Sequence, residues 1–138
     1  MTGTLIDSNV IIDIADPGSA WKGWARRWVE DALLRGSLVF NVIIAAEVAH
    51  VFVSEDRFER VFDRGLWKLE EIPLKAARMA GMAHRDYRLR GGKRERPLPD
   101  FLIGAHARVA GYRIVTRDPS GYRSYFPDLE VISPDTHP

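Results

Sequence analysis

Residues 2–14 read Thr2-Gly3-Thr4-Leu5-Ile6-Asp7-Ser8-Asn9-Val10-Ile11-Ile12-Asp13-Ile14. Thr2–Ile6 has the character of a short buried strand. Asp7-Ser8-Asn9 interrupts it, and Ser8 is placed to cap a short helix through Val10–Ile14. A buried strand that stops at an acid and turns at once into a helix is the start of an alternating α/β chain. Asp16-Pro17-Gly18 then marks a turn.

Outward from this stretch the alternation continues. Ala20–Arg35 carries Trp21, Trp24, Ala25, Trp28, Ala32 and Leu33 at helical spacing, and Gly36 stands where a helix-ending glycine belongs. Ser37–Val42 predicts a second buried strand, Ile43–Phe52 and Asp56–Leu66 two helices, and Trp67–Ile72 a third strand. Pro73 suits the first turn of a helix over Lys75–Arg88. Arg90–Pro99 reads as a polar basic loop, Asp100–Ala110 as a helix closed by Gly111, Tyr112–Thr116 as a strand, Asp118–Gly121 as a turn and Leu129–Ile132 as a last strand. Pro134–Pro138 is expected to fray. Short apolar strands separated by helices imply a three-layer α/β/α sandwich around a mainly parallel sheet of about five strands.

Composition sets the limits. The chain has 138 residues, 46% of them hydrophobic and 28% charged, which suits a single domain over 1–138 with a real core. A net charge of +1 predicts neither a DNA-coating protein nor an acidic tail, so any nucleic-acid surface must come from local clustering. Cysteine is absent, which removes disulfides, thiolate nucleophiles and zinc–thiolate sites and fits a reducing, cytoplasmic setting. Met1–Asp7 lacks the basic start of a signal peptide, and no apolar run approaches the ~18 residues of a membrane span.

In parallel α/β sheets, sites form beyond the carboxyl ends of the strands. That rule singles out Asp7 after the first strand, Glu47 in the helix after the second, Asp100 in N-cap position, and Asp118 after the fourth. All four then share one edge. Glu47 interrupts the apolar run Val42–Ala49, where an unpaired charge is expensive. Two carboxylates about 4 Å apart at an effective dielectric near 20 cost about 4 kcal/mol. Such a group raises its pKa values or recruits a cation, and an all-oxygen set suits Mg²⁺ or Mn²⁺. Each acid also has a plainer reading. Asp7 and Asp100 suit helix caps, and Asp118 before Pro119-Ser120-Gly121 suits an Asx turn.

At these residues the chain resembles the PIN-domain family, specifically the VapC-type toxins of toxin–antitoxin pairs. The matching pieces are Leu5–Ile12, Ala46-Glu47-Val48, Leu98–Ala107, and Val115-Thr116-Arg117-Asp118 followed by Tyr122–Pro127. The resemblance implies a ribonuclease that uses Mg²⁺ or Mn²⁺ held by Asp7, Glu47 and Asp100, with Asp118 completing the cluster. Asn9 and Thr116 match the family's small polar positions and would orient carboxylates or water. It further implies structured RNA such as tRNA or rRNA as substrate, a homodimer, and a cognate antitoxin whose tail blocks the site.

Arg85, Arg88, Arg90, Lys93, Arg94 and Arg96 crowd a window that holds Asp86 and Glu95 as its acids and runs into Asp100. This patch is a candidate RNA track, against the plainer reading of a solvated helix end. The Trp21, Trp24 and Trp28 stripe reads as core or partner packing, and the four histidines as structural or surface groups, with His50 near enough to Glu47 in sequence to support it. Two other functions compete: a PIN-like module that binds RNA or a partner without cutting, and a phosphohydrolase with Asp7 as phosphoryl acceptor. Asn9 argues against the second, which wants an acid there.

Overall fold

The computed structural model describes residues 3–92 and 97–138. Its elements in chain order are β1 (Thr4–Ile6), α1 (Ser8–Ala15), α2 (Lys22–Arg35), β2 (Leu38–Phe40), α3 (Val42–Val48), α4 (Glu55–Val61), β3 (Trp67–Leu69), α5 (Leu74–Leu89), α6 (Leu98–Ala110), β4 (Arg113–Val115), α7 (Ser120–Tyr125) and β5 (Val131–Ile132). The strands form one sheet in the order β3-β2-β1-β4-β5, and every neighbouring pair is parallel. The chain winds outward from β1 to β3, then returns past β1 to β4. Right-handed crossovers therefore put the helices of the two halves on opposite faces. The switch point lies between β1 and β4, so the segments that leave the carboxyl ends of those two strands meet there.

The strands are short and apolar because they are covered on both faces. Leu5, Ile6, Val39, Phe40, Ile114 and Val115 are all buried. At the β2–β3 side, Phe40 stacks on Phe62 with ring centroids 4.2 Å apart, and Trp67 meets both edge-on. Across the other half, α6 lets α7 come very close. A Cβ on Gly104 would stand 2.5 Å from Phe126 Cε2 and 3.0 Å from Tyr122 Cδ1. Gly111 ends α6 in the left-handed region at φ 75°, as its position suggested.

Several expectations need correction. Asp7, not Ser8, caps α1: its side chain accepts the Ser8 amide, and Ser8 is the first helical residue. Asp100 is not a cap either. The helix starts at Leu98, with Pro97 as its cap and Pro99 in the first turn, where a missing N–H costs nothing; Asp100 stands third. The helix carrying Glu47 stops at Val48, because Val51 and Phe52 turn back onto the carbonyls of Val48 and Ala49. Gly36 ends α2 with extended backbone rather than a left-handed turn. The C-terminal residues do not fray. Trp24 Nε1 donates to the His137 carbonyl at 2.7 Å, the His137 ring stands edge-on to Trp28, and Arg123 pairs with Asp135 at 2.6 Å. Among the described residues no helix is long and apolar enough to cross a membrane.

Candidate active site

Asp7 is the centre of the switch point. Its backbone amide donates to the Val115 carbonyl at 3.0 Å, which ties the end of β1 to the end of β4. Its carboxylate is 5% exposed and surrounded by donors. Oδ1 accepts the Ser8 amide at 2.8 Å, while Oδ2 accepts the hydroxyls of Thr116 and Tyr122, each at 2.8 Å. Burial pushes the Asp7 carboxyl above its ordinary value, and the hydrogen bonds from Thr116, Tyr122 and Ser8 pull it back.

Thr116 and Asn9 hold this arrangement from below. The Thr116 hydroxyl donates to Asp7 and accepts from Asn9 Nδ2 at 3.3 Å and from the Asp118 amide at 3.1 Å. Asn9 Oδ1 in turn accepts the Arg117 amide at 3.1 Å. Both residues thus share one hydrogen-bond network with Asp7 and the backbone of Arg117 and Asp118.

Asp7, Asp100 and Asp118 line one cleft of about 80 Å³, with Asn9, Tyr122 and Phe126 on its walls. Glu47 stands beside them. Burial pushes its carboxyl upward, the charges of Asp7 and Asp100 push the same way, and a hydrogen bond from Ser8 opposes. Its Oε1 is buried without a hydrogen-bond partner. The Tyr122 hydroxyl is raised well above its ordinary value, first by burial and then by Asp7, Asp100 and Glu47, so the negative charge of three acids is felt at one phenol. The donor chemistry fits a hard divalent cation: every candidate atom is oxygen, and a buried carboxylate oxygen has no donor. As the side chains stand, no three acidic or imidazole groups among the described residues are drawn up around a common point able to hold an ion.

Reasoning from sequence missed three participants. Tyr122 reaches Asp7 across 115 residues, Ser8 faces both Asp7 and Glu47, and Arg117 forms an ion pair with the buried Asp13. Asp13 also accepts from Ser19 at 2.9 Å, and its pair with Arg117 secures α1 against the loop that carries Asp118. The Arg117 guanidinium lies 5.7 Å from the Trp21 ring centre, so Trp21 sits beside the site's support, while Trp24 and Trp28 pack on the C-terminal residues.

Arg85 and Arg88 are exposed along α5 and, with Gly81, His84 and Leu89, line a shallow hollow. The His84 ring packs 5.3 Å from Phe101, which lines the acidic cleft. Lys93, Arg94 and Arg96 lie outside the described residues. His50 is exposed in the turn after α3. His106 is fully buried, its Nδ1 2.9 Å from Asn41 Nδ2 and its Nε2 3.7 Å from Glu70, a structural placement away from the acids. Burial holds its pKa below the ordinary imidazole value, against the pull of Glu70.

A doubly wound parallel sheet with an acid-lined cleft at its switch point defines a Rossmann-like α/β protein whose site is built on carboxylates. The PIN domain family model matches residues 4–125, and the chain belongs to that family. Solved structures with the same fold include VapBC2 from Rickettsia felis bound to a promoter DNA fragment, with a TM-score of 0.73 at 14% identity over 96% of this chain and 98% of that one. FitAcB from Neisseria gonorrhoeae gives 0.72 at 18% identity over 98% and 99%. VapBC-1 from nontypeable Haemophilus influenzae gives 0.73 at 19% over 96% and 98%. Among curated proteins nothing matches the chain.

Proposed function

We propose that this chain is a divalent-metal-dependent endoribonuclease and the toxin of a type II toxin–antitoxin pair. The observation that carries the reading is the meeting of Asp7, Asp100 and Asp118 in one cleft, with the unpartnered Oε1 of Glu47 beside it. Family membership supports a nuclease, and the fold is shared with chains from VapBC and FitAB structures.

Asp7, Glu47, Asp100 and Asp118 would hold Mg²⁺ or Mn²⁺. When bound, such an ion supplies charge stabilisation at a phosphate oxygen and a water of lowered pKa. The chain's own residues do the rest. Thr116 and Asn9 fix the orientation of Asp7 and of the backbone leading to Asp118. A carboxylate oxygen of Asp100 or Asp118 accepts the proton of the attacking water. That water attacks the phosphodiester in line with the departing 3′ oxygen, leaving a 5′-phosphate. Arg85 and Arg88, and Lys93, Arg94 and Arg96 after them in sequence, guide the phosphate backbone of a structured RNA toward the cleft. A cognate antitoxin segment lies across the same cleft and blocks it, and the protein works as a cytoplasmic single-domain homodimer.

The test is incubation of the purified chain with a pool of tRNA and rRNA, with Mg²⁺, with Mn²⁺ and with chelator. Discrete fragments bearing 5′-phosphates are expected in the presence of either ion and none with chelator. RNA that is bound yet intact with both ions would favour the binding module instead.

A further inference from the structure

The two oxygens of the Asp7 carboxylate stand in unlike surroundings. Oδ2 takes two short hydroxyl bonds, from Thr116 and Tyr122, with Asn9 Nδ2 further off at 3.5 Å. Oδ1 takes one short bond, from the Ser8 amide, and has Ser8 Oγ at 3.4 Å. A carboxylate offers about two lone pairs per oxygen. Two short hydroxyl bonds therefore fill Oδ2, while on Oδ1 the second donor is the long 3.4 Å contact of the Ser8 hydroxyl, which Glu47 also draws on and which another partner can displace.

The phenol is delivered there by packing. Tyr122 is 6% exposed on α7, and the missing side chain of Gly104 lets that helix lie against α6. A buried tyrosine needs a partner for its hydroxyl; this one finds it in the carboxylate at the switch point, 2.8 Å away. A residue that served packing alone could have been phenylalanine, as its neighbour Phe126 is.

Resting on the metal-nuclease reading above, we propose that Tyr122 is a positioning residue that, together with Thr116, saturates Oδ2 of Asp7, so that the carboxylate presents a single oxygen, Oδ1, to a cation. The consequence is ion selectivity. Mg²⁺ demands near-octahedral geometry and suits carboxylates that give one oxygen each, whereas Ca²⁺ accepts more ligands and takes both oxygens of one carboxylate. Loss of the phenol returns a lone pair to Oδ2 and favours the larger ion.

The experiment is calorimetric titration of the full chain with MgCl₂ and with CaCl₂, without RNA, for wild type, Tyr122→Phe and Thr116→Val. The ratio of Ca²⁺ to Mg²⁺ affinity is expected to rise at least about tenfold in Tyr122→Phe, the worth of one hydrogen bond to a charged group. It should rise in Thr116→Val as well. Circular dichroism establishes that each variant is folded, and either folded variant suffices for the test. A wild type that binds Mg²⁺ with a ratio unchanged in the variants overturns the positioning role and leaves the nuclease reading standing. A wild type that binds neither ion overturns both.

Discussion

Replacing Gly104 by Ala puts a methyl group where two aromatic rings already stand. The new Cβ would lie 2.5 Å from Phe126 Cε2, 2.7 Å from its Cδ2 and 3.0 Å from Tyr122 Cδ1. Neither ring has solvent to move into, since Phe126 is 5% and Tyr122 6% exposed. Overpacking of this kind costs about 1–3 kcal/mol. Against it stands a gain of about 1 kcal/mol for Ala over Gly in a helix interior. Gly81 on α5 supplies the control, because a Cβ there meets nothing within 4 Å and the helix gain is all that remains. Urea unfolding of both variants should therefore separate them by about 1–3 kcal/mol, with Gly81→Ala above wild type and Gly104→Ala at or below it. RNA cleavage should fall further in Gly104→Ala than its stability explains, because one of the two rings crowded, that of Tyr122, carries the hydroxyl on Asp7. Equal stabilisation of the two variants would refute the close packing of α7 on α6 and with it the delivery of Tyr122.

Three further outcomes are expected. Asp7 holds its proton more tightly folded than unfolded, so its contribution to stability is full below the ordinary carboxylate value and is lost as pH rises through the folded value. Asp7→Asn should accordingly abolish cleavage yet raise the urea midpoint at about pH 8, with the gain shrinking as pH falls toward about 4; a gain independent of pH would contradict this. Arg117→Ala leaves the buried Asp13 without its cation, and with Arg117 about a third exposed and Ser19 still donating, the loss should be about 1–3 kcal/mol. That loss should be much smaller in an Asp13→Asn background, as read by a double-mutant cycle. Replacing Arg85 and Arg88 by Gln should weaken RNA binding and lower the slope of log affinity against log salt by roughly 1 to 2; an unchanged slope would remove α5 from the RNA track.

The acids were legible because the rule that finds them is topological. A strand over Thr2–Ile6 just before Asp7, another over Tyr112–Thr116 just before Asp118, and a parallel sheet put those acids on one edge without any local motif. Their exact stations were not legible. Ser8 looked like the cap because serine caps well, but the strand ends at Ile6 and leaves Asp7 at the turn. Asp100 looked like a cap because Pro99 precedes it, whereas the proline belongs to the first turn itself. Tyr122 and the Asp13–Arg117 pair were invisible for a different reason. Their partners lie more than a hundred residues away, so no periodicity or spacing announces them, and only the packing of α7 and α1 around the switch point brings them into contact. The C-terminal residues misled in the opposite sense: a polar, proline-bounded end reads as loose until Trp24 and Trp28 offer it a surface.

The carboxylate metal site is tested most directly by a crystal of the full chain grown with MnCl₂ and measured for anomalous scattering at the manganese edge. A peak is expected at the switch point, bonded to carboxylate oxygens of Asp7 and Asp100. A peak held by other residues, or none there at saturating Mn²⁺, would contradict the assignment.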